Sequence, residues 1–340
     1  MRFRRTFLLS VAAAIVALSA AARPACAQVG DVLYVGDGDN TVKRFDAASG
    51  IPLDAADSPF VSGLSGPRTL LVSEGRLLVA NQNVGLQIPG EILMYHAPTG
   101  TPLGALVTAE NKKDAPFVPW GMVRGGDDLF VSSLSTASGK SHGEILRYDA
   151  FDGTLSGIAS TREIKNKEMH PRSMVFGPDG LLYVSFRTLR KDGLGGGVLR
   201  FYPDGASELF IDDEGGAGRL NRPDGIVFDP AGEFLYVMSF RAGPGDADAI
   251  RIYDADGQLV GKIDLFDPVA EPRRFAQSLL FGPGGRLYVP ISNTGEVRAY
   301  DVETGLYDVA IPAAADGGQL SNPIFLTFGK TNPSTLKYEP

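Results

Sequence analysis

The sequence predicts an all-β protein built as a six-bladed β-propeller, and three observations lead to this prediction. A short phrase of strand-forming residues recurs at intervals of 44, 52, 53, 53 and 52 residues, with its aromatic or equivalent position at Tyr34, Leu78, Phe130, Tyr183, Tyr236 and Tyr288. A second aromatic position keeps step with the first, at Phe45, Tyr95, Tyr148, Phe201, Tyr253 and Tyr300. The segment Asn322–Gly329 then repeats the start of a unit. A period of this length, made of short strands, is typical of propeller blades.

Each unit fits four antiparallel strands separated by turns. In the fourth unit Met174–Phe176 is an apolar first strand, Gly177–Gly180 is a Gly-Pro-Asp-Gly turn, and Leu181–Val184 is the second strand. A third strand, Gly197–Tyr202, leads through Pro203–Gly205 into a fourth. Pro, Asp and Gly favour turns because they preset the backbone or tolerate left-handed conformations. We therefore expect four-stranded blades.

The two ends of the chain predict how the ring closes. The first unit begins at its second strand, Asp31–Val35, and Asn322–Gly329 resembles an inner strand without a blade of its own. We expect this C-terminal strand to complete the N-terminal blade, because closure removes exposed sheet edges. A seven-bladed ring is the alternative, but it needs a further unit that the sequence does not contain. The propeller then spans residues 28–329, and residues 330–340 form a C-terminal tail with little structure.

Residues 1–27 are predicted to be an export signal peptide. Arg2, Arg4 and Arg5 precede an apolar run from Phe7 to Ala22, and Ala25–Ala27 is a small-residue cleavage site. A retained membrane anchor is the weaker alternative, because the apolar run is short. The paired arginines fit either the general or the twin-arginine export route. The expected location is the periplasm or the cell exterior.

Cysteine content and charge narrow the chemistry of the exported chain. Cys26 is the one cysteine of the sequence and lies in the signal, so neither a disulfide nor thiol chemistry is expected afterwards. Four of the 32 basic residues also lie in the signal, which leaves 28 against 40 acidic residues and a net charge of −12. This balance argues against nucleic acid and against an anionic membrane as partners.

Two stretches carry a family resemblance, Arg222–Gly232 and His170–Val184. They resemble the six-bladed propellers of the NHL-repeat, regucalcin/gluconolactonase-like and streptogramin-lyase-like superfamily, and the resemblance covers essentially the whole chain after the signal. It implies that the working residues lie where each inner strand begins, facing the central pore. Fold alone does not assign a reaction, since propellers support many unrelated chemistries.

The starts of the inner strands give seven candidate ligand-binding residues at the mouth of the pore: Arg68, Trp120, His170, Arg172, Arg222, Asp224 and Gln277. Guanidinium groups in a partly dry funnel favour carboxylate, sulfate or phosphate groups, and Trp120 can stack on a ring or sugar face. We therefore expect a pocket for a small anionic ligand. The competing interpretation is that Asp224 pairs with Arg172 or Arg222 and fills the pore as a structural ion pair.

Long loops after the second strands are expected to surround the same mouth. Among them are Asn81–Gly90, Phe186–Gly196 and Phe240–Asp248, and the second of these adds the cations Arg187, Arg190 and Lys191. These loops increase the positive charge expected around the pore.

The candidate metal ligands at the mouth do not form the set that the resemblance implies. The resemblance implies one divalent metal in the lactonases, held by an acid, an asparagine and an aspartate at the mouth. Asp224 alone matches, because Ile324 stands where the glutamate is expected and Arg172 stands in place of the asparagine. An arginine cannot ligate a metal and would repel one. A divalent cation such as calcium is the alternative at Asp37 and Asp39, where a solvated turn is the favoured interpretation.

Three functions stay open. The favoured one is an exported binding module whose mouth recognises a small anionic molecule or a partner protein. The second is a metal-dependent hydrolase of lactones or esters, which depends on Asp224. The third is a lyase of the streptogramin-lyase-like class, which depends on His170, because the other two histidines, His96 and His142, fall outside the expected level of the pore. Whether the protein is an enzyme is left open by the sequence.

Overall fold

A computed structural model describes residues 31–135, 142–160, 163–164, 167–188, 195–213, 216 and 218–340. The regular structure in these ranges is almost entirely β-strand, arranged in six antiparallel sheets. Each sheet is one blade, and the first strands of neighbouring blades contact one another around a central channel. The predicted six-bladed β-propeller is confirmed. The predicted export signal lies outside the described residues.

In four of the blades, four strands follow one another along the chain from the channel outward. In chain order the strands of all six blades are β1 (Val32–Asp37), β2 (Thr41–Asp46), β3 (Pro67–Ser73), β4 (Arg76–Asn81), β5 (Glu91–His96), β6 (Pro102–Val107), β7 (Met122–Gly125), β8 (Asp128–Ser135), β9 (His142–Asp149), β10 (Leu155–Ser160), β11 (Glu163–Ile164), β12 (Lys167–Phe176), β13 (Leu182–Thr188), β14 (Gly196–Phe201), β15 (Ser207–Asp213), β16 (Ile226–Phe228), β17 (Leu235–Ser239), β18 (Ala249–Tyr253), β19 (Leu259–Asp264), β20 (Leu280–Phe281), β21 (Leu287–Ile291), β22 (Glu296–Tyr300), β23 (Tyr307–Ile311) and β24 (Pro323–Phe328). In the blade of β12 to β15 the short strand β11 also pairs with the inner strand β12, and the closing blade takes its inner strand from the C-terminus.

The C-terminal strand closes the ring as predicted. Strand β24 pairs antiparallel with β1, with Leu33 opposite Phe328 and Val35 opposite Leu326. The closing blade contains three regular strands in the order β2-β1-β24, and its outermost position is reduced to two isolated bridges. Pro52 and Pro59 lie in this outer segment. Proline removes a ladder hydrogen bond, so a continuous fourth strand does not form there.

The recurring aromatic phrase packs one blade on the next. The second-strand aromatic of a blade lies edge-on against the aromatic that ends the inner strand of the following blade. The pairs and their ring-centroid distances are Phe130–Phe176 at 5.6 Å, Tyr183–Phe228 at 5.0 Å, Tyr236–Phe281 at 5.2 Å and Tyr288–Phe328 at 5.0 Å. Each such pair contributes about 0.5–1.5 kcal/mol beyond its buried area. The repeat in the sequence therefore reflects a repeated contact between blades.

The C-terminal residues fold across the end of the channel opposite the mouth. The backbone N–H groups of Arg124 and Phe176, which lie at the ends of inner strands, donate to the carbonyls of Pro333 and Ser334 at 2.8 and 3.1 Å. Leu336 packs against three of the buried hydrophobic clusters. The expectation that residues 330–340 have little structure is therefore wrong, because this segment satisfies backbone donors that the inner strands leave unpaired.

Within the ranges that the structure describes, no helix has the length and apolarity needed to cross a membrane.

Candidate functional site

Two inner strands turn an arginine out of the sheet at the mouth. The register of β3 against β4 shifts between Pro67 and Leu70, and that of β12 against β13 shifts between Pro171 and Met174. Each shift is an irregularity that includes the residue after proline, Arg68 or Arg172. Proline lacks the N–H that would continue the ladder, and a bulge re-aims the side chains next to it. This explains why the position after proline supplies residues to the mouth.

Asp224 is the buried acid at the centre of the mouth. Its side chain has no exposed surface. Trp120 Nε1–H donates to Oδ1 at 2.9 Å, and Arg187 Nη2 lies 2.6 Å from Oδ2. Asp224 therefore does form a buried ion pair with an arginine, but the partner is Arg187, near the end of β13, and not Arg172 or Arg222 as the competing interpretation has it. Asp224 fixes the indole ring and one guanidinium group.

Arg68 and Arg172 lie against the indole of Trp120. Their Cζ atoms are 4.8 and 4.2 Å from the ring centroid. Arg172 is only 9% exposed. Burial lowers the pKa of Arg172 to about 10, with the cations Arg187 and Arg68 acting in the same direction and Asp224 against them. Burial also lowers the pKa of Arg68, and Asp224 opposes this.

The guanidinium groups of Arg68 and Arg172 each contain a buried N–H donor without an acceptor. Within the described ranges no carboxylate pairs with Arg68 or Arg172, and the Nε atom of each is buried without a hydrogen-bond partner. Asp224 partly offsets the cost of burying the two cations without forming an ion pair with either. Buried cations that lack a bonded counter-charge are costly, so an added anion would be stabilised there. The hydroxyl of Ser132 donates to the carbonyl of Arg172, which holds this strand start in place.

A second group of cations surrounds Phe240, next to the first. The Cζ atoms of Arg187, Arg222 and Arg273 lie 4.9, 5.7 and 5.8 Å from the Phe240 ring centroid. Arg273 is paired through two 2.7 Å hydrogen bonds with the fully buried Asp248. Arg187 therefore links this group to Asp224.

Arg222 is held in an unusual backbone conformation. Its φ is 44°, a left-handed value that costs a residue with a Cβ about 1–2 kcal/mol. Its Nη2 donates to the carbonyl of Arg241 at 2.8 Å, and its buried Nε lacks a partner. Burial lowers the pKa of Arg222, and Arg187 and Arg273 add to this effect. Arg222 is thus a third cation of the mouth that pairs with none of the described carboxylates.

The other two predicted site residues are less closely connected. His170 Nε2 lies 3.2 Å from Glu168 Oε1, and burial lowers the pKa of the imidazole. Gln277 is half-buried, and its backbone carbonyl accepts a hydrogen bond from the backbone N–H of Gly225 at 2.9 Å. The structure therefore joins Arg68, Trp120, Arg172 and Asp224 in one contact network, with Arg222 beside it.

The residues at the mouth do not fit a divalent metal. Both oxygens of Asp224 already accept from the cation Arg187 and the indole N–H of Trp120. Arg172 and Ile324 supply no ligand at the two other expected positions. Among the described residues, no group of three or more His, Cys, Asp and Glu side chains is placed to hold a metal.

The acidic turn in the first blade already holds a cation from the chain itself. Lys43 Nζ lies 2.6 Å from both Asp37 Oδ2 and Asp39 Oδ2, and 2.9 Å from the carbonyl of Gln319. Asp37 also accepts from the backbone N–H groups of Ser321 and Asn322. The alternative of calcium binding to Asp37 and Asp39 is therefore disfavoured, because the ammonium group occupies the space between the carboxylates.

Comparison with known proteins finds relatives by structure alone. No protein-family model and no curated protein sequence matches the chain. Among solved structures, the nidogen/laminin complex matches with a TM-score of 0.62, 14% identity, and coverage of 88% of this chain and 98% of that chain. The periplasmic gluconolactonase of Pseudomonas aeruginosa matches with a TM-score of 0.57, 19% identity, and coverage of 88% and 98%.

A third match is a catalytically inactive virginiamycin B lyase from Staphylococcus aureus with quinupristin, with a TM-score of 0.51, 15% identity, and coverage of 89% of this chain and 92% of that chain. The chain is a six-bladed β-propeller with gluconolactonase and streptogramin-lyase neighbours. At these identities the likeness establishes the fold of the propeller and leaves its chemistry to the mouth residues.

Three mouth residues of the propeller were not among the predicted site residues. Arg187 and Phe240 were assigned only to loops around the mouth, and Arg273 was not assigned to the site. Their signal in the sequence is weak, because they do not follow a proline at an inner-strand start. The charge of Arg190 and Lys191, also predicted for this rim, lies outside the described residues.

Proposed function

We propose that this protein is an exported binding module whose propeller mouth binds a small anionic ligand. The observation that carries the proposal is the presence of Arg68, Arg172 and Arg222 at the mouth without a carboxylate partner among the described residues. Both oxygens of Asp224 are occupied by Trp120 and Arg187, so Asp224 acts on these arginines only from a distance and accepts no hydrogen bond from them. A carboxylate, sulfate or phosphate group provides the missing acceptors and charge.

The expected binding mode uses the planar guanidinium groups as paired donors. Arg68 and Arg172 both lie against the indole of Trp120, and we expect an anion at the mouth to accept from both guanidinium groups. Charge-assisted hydrogen bonds of this kind contribute about 1.5–3 kcal/mol each. The chain as a whole has a net charge of −8, so the attraction is local to the mouth.

Titration calorimetry with sulfate, inorganic phosphate and gluconate tests this proposal. We expect saturable 1:1 binding of at least one of these anions, weakening as NaCl is raised, because chloride screens and competes for the guanidinium groups. Arg222→Gln is expected to weaken binding, whereas Arg286→Gln, just before β21 and paired with the exposed Asp308, leaves it unchanged. Absence of binding by all three anions at low salt would contradict the proposal.

The same chemistry is available from an acidic side chain of a partner protein. Because the nidogen/laminin complex is an assembly of two proteins, a protein carboxylate is a second source of the anion. A captured partner that free phosphate or gluconate displaces would support that source.

A lactone- or ester-hydrolysing function is the second candidate, supported by the structural likeness to the periplasmic gluconolactonase. This function requires a divalent metal near Asp224 in the family that the sequence resembles. Metal analysis of the purified protein, with Asp224→Ala as the comparison, separates the two candidates. A stoichiometric divalent ion that this variant loses would favour the hydrolase.

A further inference from the structure

The loop between β4 and β5 exposes three apolar side chains. Val84, Leu86 and Ile88 are 59%, 56% and 40% exposed. We call these three residues the apolar rim. A group of exposed apolar residues at a protein surface is costly to hydrate and often marks a binding site.

The loop that carries the apolar rim is fixed by its own hydrogen bonds. Asn81 Nδ2 donates to Asn83 Oδ1 and Asn83 Nδ2 donates to the carbonyl of Pro89, both at 2.8 Å. Asn83 and Gln87 have φ values of 54° and 56°, in the left-handed region that side chains with a Cβ rarely adopt. Such strain persists where the surrounding structure enforces it, and it is concentrated at functional sites. The apolar rim is therefore preorganised rather than a freely moving loop.

The loop is joined directly to the two segments that lead into Arg68 and Trp120. The backbone N–H groups of Gln82 and Val84 donate to the carbonyls of Gly66 and Ser65, at 3.2 and 3.4 Å. The amide of Gln82 donates to the carbonyl of Pro119 at 2.9 Å. Ser65 and Gly66 come just before Arg68, and Pro119 comes just before Trp120. The apolar rim is thus continuous with the cationic part of the mouth.

We propose that the ligand of the mouth is an amphiphilic anion, in which an acyl chain or other apolar group carries a carboxylate, sulfate or phosphate. The charged group binds Arg68 and Arg172, and the apolar part lies on Val84, Leu86 and Ile88. This proposal rests on the proposed function, since it needs the anion site, and it adds the chemical class of the rest of the ligand. The loop that carries the apolar side chains is hydrogen-bonded to the segments that lead into Arg68 and Trp120, so the mouth offers a cationic and an apolar part to such a molecule.

A chain-length series at one charge tests the ligand class. Titrations of acetate, hexanoate and octanoate at equal ionic strength measure the dissociation constants, with octan-1-ol as the uncharged match. We expect octanoate to bind at least about tenfold more tightly than acetate, because each buried methylene favours binding. Octan-1-ol is expected to bind more weakly than octanoate, because it lacks the charge that Arg68 and Arg172 recognise.

Substitution of the apolar rim separates this effect from general hydrophobicity. In the double variant Leu86→Ser, Ile88→Ser, we expect octanoate to bind no more tightly than acetate. The affinity for acetate itself is expected to stay unchanged. The matched control is Ile51→Ser with Leu306→Ser, two residues that are 62% and 71% exposed at turns far from the mouth. The control is expected to keep the preference for octanoate.

The outcomes distinguish the two proposals. Equal affinity for acetate and octanoate in the unsubstituted protein, or a preference that survives the rim substitutions, would overturn the amphiphile and leave the anion site standing. No binding of any carboxylate, sulfate or phosphate would overturn both proposals. Binding to phosphatidylglycerol vesicles that the rim substitutions abolish, without any preference for free octanoate, would replace the small ligand by a membrane surface.

Discussion

Asp224→Ala is expected to lower the free energy of unfolding by about 3–5 kcal/mol, the range found when one partner of a buried ion pair is removed. Asp224 is fully buried and accepts from Trp120 and from Arg187. Its removal leaves an unpaired guanidinium and an indole N–H without an acceptor, beside two further cations. Equilibrium denaturation with urea, followed by circular dichroism, measures the change.

Two comparisons make the Asp224 prediction specific. Asp224→Asn retains an acceptor for the indole N–H but loses the charge opposite Arg187, so an intermediate loss of stability is expected. Asp308→Ala removes an ion pair with Arg286 whose carboxylate is 78% exposed, and little change is expected because solvent screens such pairs. If Asp224→Ala and Asp308→Ala changed stability equally, Asp224 would not be the central acid of the mouth.

The double variant Arg68→Gln with Arg172→Gln is expected to weaken anion binding by about 100-fold or more. Loss of two charge-assisted hydrogen bonds, each of about 1.5–3 kcal/mol, predicts an effect of this size. Neither arginine pairs with a carboxylate among the described residues. The double variant is therefore expected to lose less stability than Asp224→Ala. Calorimetric titration and urea denaturation of the same samples measure both quantities.

Arg124→Gln is the matched control for this prediction. Arg124 is 9% exposed, as Arg172 is, but it lies at the opposite end of the channel. It donates to Ser73 Oγ and the carbonyl of Gly126, and it pairs with Glu74. We expect Arg124→Gln to reduce stability and leave anion binding unchanged. An equal loss of anion binding in both variants would show a general effect of buried arginines rather than a site.

The fold was predictable because its determinants repeat. The aromatic pairs between blades, such as Tyr183 with Phe228, require aromatic residues that recur at regular intervals in the sequence. The closing strand was also predictable, since Phe328 matches the other strand ends and packs on Tyr288 in the same way. The missing fourth strand of the closing blade was not predicted, because the effect of Pro52 depends on its position in the sheet.

The site was predictable only in part. The position after proline located Arg68, Arg172 and Asp224, because proline interrupts the ladder wherever it begins an inner strand. Which arginine pairs with Asp224 was not predictable, since it depends on where β13 ends and places Arg187. The Lys43 contact with two carboxylates was missed for the same kind of reason: adjacent strands bring these residues together, and no motif marks the pair.

The most direct test of the central claim is anomalous diffraction from crystals soaked in selenate, a sulfate analogue whose selenium atom locates the anion. We expect a strong selenium peak from a selenate ion whose oxygens lie within hydrogen-bonding distance of the guanidinium groups of Arg68 and Arg172, and no such peak in the Arg68→Gln, Arg172→Gln double variant. A well-diffracting crystal with selenium bound only at outer surface sites and a mouth free of anion would contradict it.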